Sequence, residues 1–238
     1  MQDTIASSTS TPVLHYPGLL VVVGGGSVDR TVLMELAATG AALVGADGGA
    51  DVIAEAALVP DAIIGDFDSL RDPGGWTTNT VLVPIAEQDT TDFEKVLYST
   101  QAPLTVALGM TGGRLDHTLA ALSAVTRFGA RRRIVLVDQE DVALSLSGPF
   151  SLDLAEGERV SVYPLDRVPF RHSEGLLYRL DGLVLEAGGR IGTANTAIND
   201  RITVEPEPES AAVYLLIVGR QHLYRILDAV LGAEKKGG

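Results

Sequence analysis

Apolar residues form short uninterrupted runs along the first 138 residues, and most of these runs end at a glycine, an acidic residue or both. Runs of this kind are typical of parallel strands that are buried on both faces. Between several of them the apolar positions recur at helical spacing, as at Val32, Leu33 and Leu36. The pattern predicts an α/β fold, a parallel sheet with flanking helices, with strands at residues 19–23, 41–46, 62–64, 81–83, 104–108 and 134–137.

The pattern changes after about residue 142, where turns of Gly, Pro and Asp separate short β-like runs. Such spacing predicts a smaller antiparallel domain, similar to a β-sandwich, with strands at residues 143–146, 160–163, 183–186, 202–204 and 213–218. Leu223, Ile226, Leu227 and Val230 then form the apolar stripe of an amphipathic helix. We therefore expect an α/β domain at residues 1–148, beginning with a flexible tail at 1–15, and a β-rich domain with a C-terminal helix at 149–238.

Composition narrows the range of partners. The chain has 238 residues with 46% hydrophobic content, which is enough for a large core, and a formal net charge of −13. So acidic a chain is a poor candidate for binding nucleic acid or an anionic membrane. It has no cysteine, which is compatible with a reducing cytoplasm. No apolar run approaches the ~20 residues of a membrane span, and residues 1–12 lack the features of a signal peptide. We expect a cytoplasmic protein.

Carboxylates follow two neighbouring strands of the predicted sheet. Asp47 lies in Gly45-Ala46-Asp47-Gly48-Gly49-Ala50-Asp51, and Asp66 and Asp68 lie in Gly65-Asp66-Phe67-Asp68-Ser69. Ligands of open α/β sheets bind at the carboxyl ends of the strands, and residues two apart in an extended segment face the same side. Converging carboxylates repel one another unless a cation joins them, so the set predicts Mg²⁺ bridging to phosphates. A single Asp here would more simply be a turn residue.

Two glycine-rich segments also follow predicted strands. Residues 24–27, Gly-Gly-Gly-Ser, are either a phosphate cradle or a tight turn between strand and helix. In the second segment, Gly112 and Gly113 allow the backbone to approach a ligand closely. Arg114 offers a planar fork for phosphate oxygens, and Asp116 is either a helix cap or a metal ligand.

A third polar segment runs from Gln88 to Lys95. Asp89 or Thr90 is predicted to cap a helix, and Asp89, Asp92 and Lys95 would then share one helical face. Capping acids and an Asp–Lys pair are also common in helices without any function. The functional interpretation of this segment therefore depends mainly on its position after a predicted strand.

Together these motifs, in their order and spacing, resemble those of the thiamine pyrophosphokinases. The resemblance covers most of the chain and rests on Asp47-Gly48-Gly49-Ala50-Asp51, Gly65-Asp66-Phe67-Asp68-Ser69, Gln88-Asp89-x-Thr91-Asp92-Phe93-x-Lys95 and Gly112-Gly113-Arg114-x-Asp116-His117. It implies transfer of a pyrophosphoryl group from ATP to the hydroxyl of thiamine, giving thiamine diphosphate and AMP. It also implies dependence on Mg²⁺ and a homodimer.

The resemblance implies roles for individual residues as well. Asp47, Asp66, Asp68, Asp92 and Asp116 would form the acidic ATP–Mg²⁺ site, with Asp66, Asp68 and Asp92 as metal ligands. Gln88, Lys95 and Arg114 would contact phosphates or orient the nucleophile, beside Gly48, Gly112 and Gly113. Thiamine would bind at Tyr178, Thr193 and Asn195, where the family usually has Trp for Tyr178 and a Thr-Ser-Asn-Glu-like run around Asn195. Thr193 and Asn195 also suit a simple turn.

Several alternatives stay open at this point. Asp66, Asp68 or Asp92 would accept the hydroxyl proton, and the sequence does not choose among them. The acceptor could be another hydroxymethyl heterocycle, such as a pterin, on the same scaffold. A non-catalytic protein that binds a nucleotide or thiamine is a third possibility, although a pure binder rarely tolerates so many converging carboxylates.

Overall fold

A computed structural model describes residues 14–72, 74–76 and 79–237, with the side chains of residues 233–237 excluded. The predicted flexible tail lies outside the described residues except for residues 14 and 15, which form a short strand. No helix in the described part of the chain is long and apolar enough to span a membrane.

The described residues form sixteen strands, five α-helices and one 3-10 helix. The strands are β1 (Leu14–His15), β2 (Leu19–Val23), β3 (Ala42–Ala46), β4 (Ala62–Gly65), β5 (Val81–Pro84), β6 (Thr100–Gln101), β7 (Leu104–Leu108), β8 (Arg133–Val137), β9 (Asp141–Leu146), β10 (Phe150–Asp153), β11 (Arg159–Pro164), β12 (Val168–Glu174), β13 (Val184–Leu185), β14 (Gly192–Thr196), β15 (Arg201–Pro206) and β16 (Tyr214–Gly219). The helices are α1 (Arg30–Ala38), α2 (Gly49–Glu55), α3 (Asp92–Ser99), α4 (Leu115–Phe128) and α5 (Leu223–Gly237), with the 3-10 helix at Arg220–His222.

One sheet of ten strands runs through the molecule in the order β14-β11-β16-β9-β8-β7-β2-β3-β4-β5. The strands from β8 to β5 are parallel to one another, whereas β9, β16, β11 and β14 join antiparallel. A smaller antiparallel sheet has the order β10-β15-β12-β13. The main sheet therefore crosses the domain boundary predicted near residue 148, and the division into two domains stays a prediction.

The core lies on both faces of the main sheet. On one face, the apolar residues of the small sheet, α1 and α5 share a cluster with the strands, including Phe170, Tyr214 and Ile226. On the other face, Phe93 and Val96 of α3 and Ala121 of α4 pack against β2, β3 and β4. Helices thus cover the parallel part of the sheet, and the small sheet covers the antiparallel part.

The order of the parallel strands sets the position of a ligand crevice. The chain moves outward from β2 through β3 and β4 to β5, then crosses back to β7 on the other side of β2. The loops after β2 and β7 meet at this reversal, where the Gly26 N–H donates to the Gly109 carbonyl over 3.1 Å. In doubly wound sheets, ligands bind beside such a reversal, outside the carboxyl ends of the strands.

Close packing explains the glycine at the start of α2. The helix begins at Gly49, where a Cβ would lie 1.8 Å from the Val23 carbonyl oxygen. Only glycine lets the start of α2 pack so closely on the end of β2. The residues around Asn195, for which a turn had been weighed, form β14, which pairs with β11.

Candidate active site

Three carboxylates converge at the carboxyl ends of β3 and β4. Asp47 follows β3, and Asp66 and Asp68 follow β4, and one oxygen from each lies within 4.8 Å of the other two. We call this group the acidic triad. Sequence reasoning had grouped Asp66 and Asp68 with Asp92 as metal ligands, whereas the structure groups them with Asp47.

Asp47 is held rigidly inside the protein. Its backbone has a φ of 45°, and its N–H donates to the Ile64 carbonyl over 2.9 Å. Its side chain is 2% exposed; one carboxylate oxygen accepts from the Ser69 N–H over 3.1 Å, and the other is buried without a hydrogen-bond partner. Burial raises the pKa of Asp47, and the charges of Asp92 and Asp66 raise it further. A buried carboxylate oxygen without a partner beside two more carboxylates is an arrangement that a cation would stabilise.

The lack of a side chain at Gly65 allows Asp47 to lie close to the end of β4. A Cβ at Gly65 would lie 2.8 Å from the Cβ of Asp47 and 3.2 Å from a carboxylate oxygen of Asp92. Any side chain here would push β3 and β4 apart at the point where the triad forms. The glycine before Asp66 is therefore part of the geometry of the site.

Asp66 is oriented by two residues of the third polar segment. One of its oxygens accepts from the Gln88 side chain over 2.6 Å and from the Lys95 ammonium over 3.4 Å. The Gln88 bond is the largest of the effects that hold the pKa of Asp66 below its usual value. Asp66 is therefore charged at neutral pH, and its orientation within the triad is set by Gln88 and Lys95.

Lys95 lies between Asp66 and Asp92 rather than in the open crevice. Its side chain is 2% exposed, and its ammonium contacts Asp92 over 3.0 Å as well as Asp66. Burial by itself lowers the pKa of Lys95, but the bonds and charges of the two carboxylates outweigh it and raise the pKa above its usual value. In this position Lys95 is a counter-charge for the two carboxylates.

The start of α3 differs from the prediction. Neither Asp89 nor Thr90 caps the helix; Thr91 does, in a capping box with Glu94. Asp89 precedes the helix and does not share a helical face with Asp92 and Lys95. The pattern Thr-x-x-Glu at residues 91–94 is a sequence signal that would have located the cap.

Arg114 and Asp116 lie at the exposed start of α4. The guanidinium of Arg114, 72% exposed, donates to the two oxygens of Asp116 over 3.1 and 2.5 Å. This bond lowers the pKa of Asp116 and raises that of Arg114. Among the described residues neither side chain bonds to the acidic triad. A phosphate entering from solvent would meet Arg114 together with Gly112 and Gly113, which precede it.

The three residues predicted to bind thiamine line one pocket of about 630 Å³ in the β-rich half. The Asn195 side chain is 3% exposed and bonds to both the N–H and the carbonyl of Tyr178, over 2.9 and 2.7 Å. Asn195 thus holds the Tyr178 segment in place, while Tyr178 itself is 67% exposed. The other lining residues are two arginines, Arg179 and Arg190, and the smaller or apolar residues Leu177, Leu180, Leu183, Leu185, Ile191 and Gly192.

Two features of the site were missed by the sequence reasoning. Asp47 was assigned to ATP and not to the metal, because its proximity to Asp66 and Asp68 depends on the pairing of β3 with β4. Ser69 was quoted as part of a motif, but it has contacts of its own. Its N–H donates to Asp47, and its hydroxyl donates to Asp68 over 2.9 Å. No local pattern reports the contact with Asp47, since it joins the loops after β3 and β4.

Comparison with known proteins identifies relatives. Residues 33–137 match the family described as "Thiamin pyrophosphokinase, catalytic domain". The chain is 29% identical over 158 residues to thiamin pyrophosphokinase 1 of Caenorhabditis elegans, covering 60% of this chain and 65% of that one. It is 29% identical over 169 residues to thiamine pyrophosphokinase 1 of Arabidopsis thaliana, covering 63% of each. These matches span slightly less than two thirds of the relatives' own length.

Solved structures share the fold. The thiamin pyrophosphokinase from Geobacillus thermodenitrificans superposes with a TM-score of 0.69 at 24% identity, covering 84% of this chain and 97% of its own. The enzyme from Candida albicans superposes with a TM-score of 0.70 at 15% identity, covering 88% and 94%. At these identities the likeness shows the fold alone. It confirms the predicted class, a parallel sheet with helices followed by a smaller antiparallel part.

Proposed function

We propose that the chain is a thiamine pyrophosphokinase, because residues 33–137 match the catalytic domain of that family, and that it transfers a pyrophosphoryl group from ATP to the hydroxyl of thiamine. The products would be thiamine diphosphate and AMP. The observation that carries the proposal is the acidic triad, in which a buried carboxylate oxygen of Asp47 without a partner lies with Asp66 and Asp68. The relatives named above all carry the name of the thiamine enzyme, and no observation favours a pterin acceptor.

The residues of the triad fit Mg²⁺, a hard cation that prefers carboxylate oxygens. Asp47, Asp66 and Asp68 would hold the ion, which would neutralise charge on the phosphates of ATP. Asp92 would act beside the triad through Lys95 instead of as a direct ligand. In this assignment Asp47 replaces Asp92 among the three metal ligands expected from the resemblance.

The remaining residues position the reactants. Transfer of a phosphoryl group requires mainly alignment of the attacking and leaving oxygens and stabilisation of charge. Arg114 would hold the phosphate oxygens at the exposed start of α4, and the backbone at Gly112 and Gly113 would lie against them. The Gln88 bond lowers the pKa of Asp66 and makes that carboxylate a weak acceptor for the hydroxyl proton.

Thiamine would occupy the pocket at Tyr178. The exposed ring of Tyr178 would stack on the flat heterocycle, and the apolar lining would cover its other parts. Asn195 would keep the ring in place through its bonds to the Tyr178 backbone, and Thr193 would bond to a polar edge of the ligand. This role for Asn195 is indirect, in contrast to the direct contact expected from the resemblance.

A homodimer would bring the two halves of the site together. Leu115 and Leu119 are exposed on α4 beside Arg114, and Leu177 and Tyr178 are exposed in the β-rich half. We propose that these apolar surfaces meet across the dimer, so that the pocket of one subunit faces the triad of the other. The absence of cysteine is compatible with the reducing cytoplasm, and we propose that the protein is located there.

One experiment tests the activity. Purified protein is incubated with ATP and Mg²⁺, with and without thiamine, and AMP and thiamine diphosphate are separated by chromatography. We expect both products only when thiamine is present. Formation of AMP with a hydroxymethylpterin but not with thiamine would identify another acceptor. No AMP with either acceptor would favour a binding protein without catalysis.

The dimeric site has its own test. The variants Asp68→Asn and Tyr178→Ala are prepared separately and then mixed under conditions that allow subunit exchange. When thiamine is held well below the wild-type KM, Asp68→Asn alone should be nearly inactive and Tyr178→Ala alone should be impaired about 3–30-fold, but a mixed dimer should recover one working site of its two. If mixing restores no activity although exchange is demonstrated, each site lies within a single chain.

A further inference from the structure

Glu87 lies outside the acidic triad, in the loop between β5 and α3, and four hydrogen bonds converge on its carboxylate. It accepts from the backbone N–H groups of Asp89 and Thr90, over 2.7 and 3.0 Å, and from the Thr90 hydroxyl. The fourth bond comes from the hydroxyl of Tyr98 on α3, over 2.9 Å. One side chain therefore fixes the shape of the loop and attaches it to the helix.

The same loop carries Gln88, the residue that orients Asp66. Its amide donates to Asp66 over 2.6 Å, whereas the other two donors to Asp66 in the described part of the chain, Lys95 and the Asp68 N–H, are each 3.4 Å away. The Gln88 residue is exposed, so packing alone does not fix its position. The backbone that presents it is fixed by Glu87, the preceding residue.

We infer that Glu87 is a positioning residue for the metal site, acting through Gln88 on Asp66. The inference rests on the proposed metal-dependent function. Residues that orient metal ligands typically change metal affinity or activity about 10–100-fold when they are replaced. Glu87 acts one step further from the metal, so we expect an effect at the lower end, about tenfold.

The test measures metal binding directly. Mn²⁺, which has similar ligand preferences to Mg²⁺, is titrated into the purified full-length protein and followed by electron paramagnetic resonance. Glu87→Gln keeps the size of the side chain but removes its charge and one acceptor oxygen. We expect about tenfold weaker Mn²⁺ binding. The Mg²⁺ concentration for half-maximal turnover should rise equally, while the KM for thiamine stays unchanged.

Two further variants test the route through Gln88. Tyr98→Phe removes one of the four bonds to Glu87 and should weaken Mn²⁺ binding by a smaller factor. In a Gln88→Ala background, Glu87→Gln should have no additional effect, because the link to Asp66 is already lost. Additive effects of the two changes would mean that Glu87 does not act through Gln88 and would overturn the inference.

Asp166→Asn is the matched control. Asp166 also accepts a backbone N–H, that of Val213 over 2.8 Å, but it lies in the β-rich half, so its variant should bind Mn²⁺ like the wild type. If wild-type protein binds no Mn²⁺, the proposed metal site is wrong, whereas normal binding by both Glu87→Gln and Tyr98→Phe overturns only the inference about Glu87. Should Glu87→Gln fail to fold, wild-type affinity in Tyr98→Phe would still overturn it.

Discussion

Without metal, the Asp47→Asn variant should be more stable than the wild type. With Mg²⁺ present, the variant should be less stable than the wild type. Asn has the same shape, and its carbonyl oxygen can still accept from Ser69. Its NH₂ group would replace the carboxylate oxygen that has no partner and would face the two remaining carboxylates. One charge is thus removed from a crowded group without loss of packing.

The size of the effect follows from the geometry. Two unit charges at the 4.8 Å that bounds the triad repel by about 3 kcal/mol at an effective dielectric constant of about 20. Asp68 is exposed, and solvent therefore screens much of this repulsion. We expect the metal-free variant to be more stable by about 1–2 kcal/mol at pH 7. Loss of a ligand that weakens Mg²⁺ about 100-fold would remove up to about 2.7 kcal/mol of metal-dependent stabilisation.

The pH dependence has a definite sign. The pKa of Asp47 is raised in the folded protein above its ordinary value of 3.8. Between these two pKa values the folded state holds a proton that the unfolded chain has released, so wild-type stability falls as pH rises through this window. The advantage of the metal-free variant should therefore be near zero below pH about 4 and should develop as the pH rises above the ordinary carboxyl pKa.

Urea unfolding in EDTA and in excess Mg²⁺, followed by circular dichroism, measures both effects. Asp51→Asn is the control, since Asp51 lies on α2 outside the triad and accepts from the Arg71 N–H. We expect this control to respond to Mg²⁺ like the wild type. The reasoning is refuted if Asp47→Asn is less stable than wild type in EDTA, or if it keeps the full stabilisation by Mg²⁺.

Three other variants test separate parts of the site. Lys95→Met removes a buried ammonium from between two carboxylates, one of which is 34% exposed. It should lower the free energy of unfolding by about 2–3 kcal/mol at pH 7, and an unchanged urea midpoint would contradict the counter-charge role. Arg114→Lys should lower kcat/KM at least about tenfold, because an ammonium cannot hold phosphate oxygens in the bidentate way, and steady-state kinetics with normal turnover would place Arg114 outside the site. Tyr178→Ala should raise the KM for thiamine about 3–30-fold, as expected for one lost stacking contact, with the KM for ATP as the internal control.

Much of the parallel sheet is predictable because its signals are local. Predicted strands at Leu19–Val23 and Leu104–Leu108 match the observed β2 and β7 residue for residue, since each is an apolar run that ends in glycine. The apolar stripe of α5 and the proximity of Asp66 to Asp68 can likewise be predicted from the spacing of residues that are near one another in the sequence. In contrast, β12 was not predicted, because its sequence Val-Pro-Phe-Arg-His-Ser-Glu alternates only weakly and depends on its neighbours β13 and β15 for pairing.

The sequence by itself determined which polar residues and glycines follow the apolar runs, since the order of the chain shows the carboxylates, glycines and arginine at the ends of these runs. Only the tertiary structure decided how they are grouped. Pairing of β3 with β4 brings Asp47 to Asp66 and Asp68, and the packing of α3 against this edge buries Lys95 between Asp66 and Asp92. Asp47 and Lys95 take these positions because separate parts of the chain meet there. The distances between such parts are set by strand pairing and side-chain packing rather than by spacing along the chain.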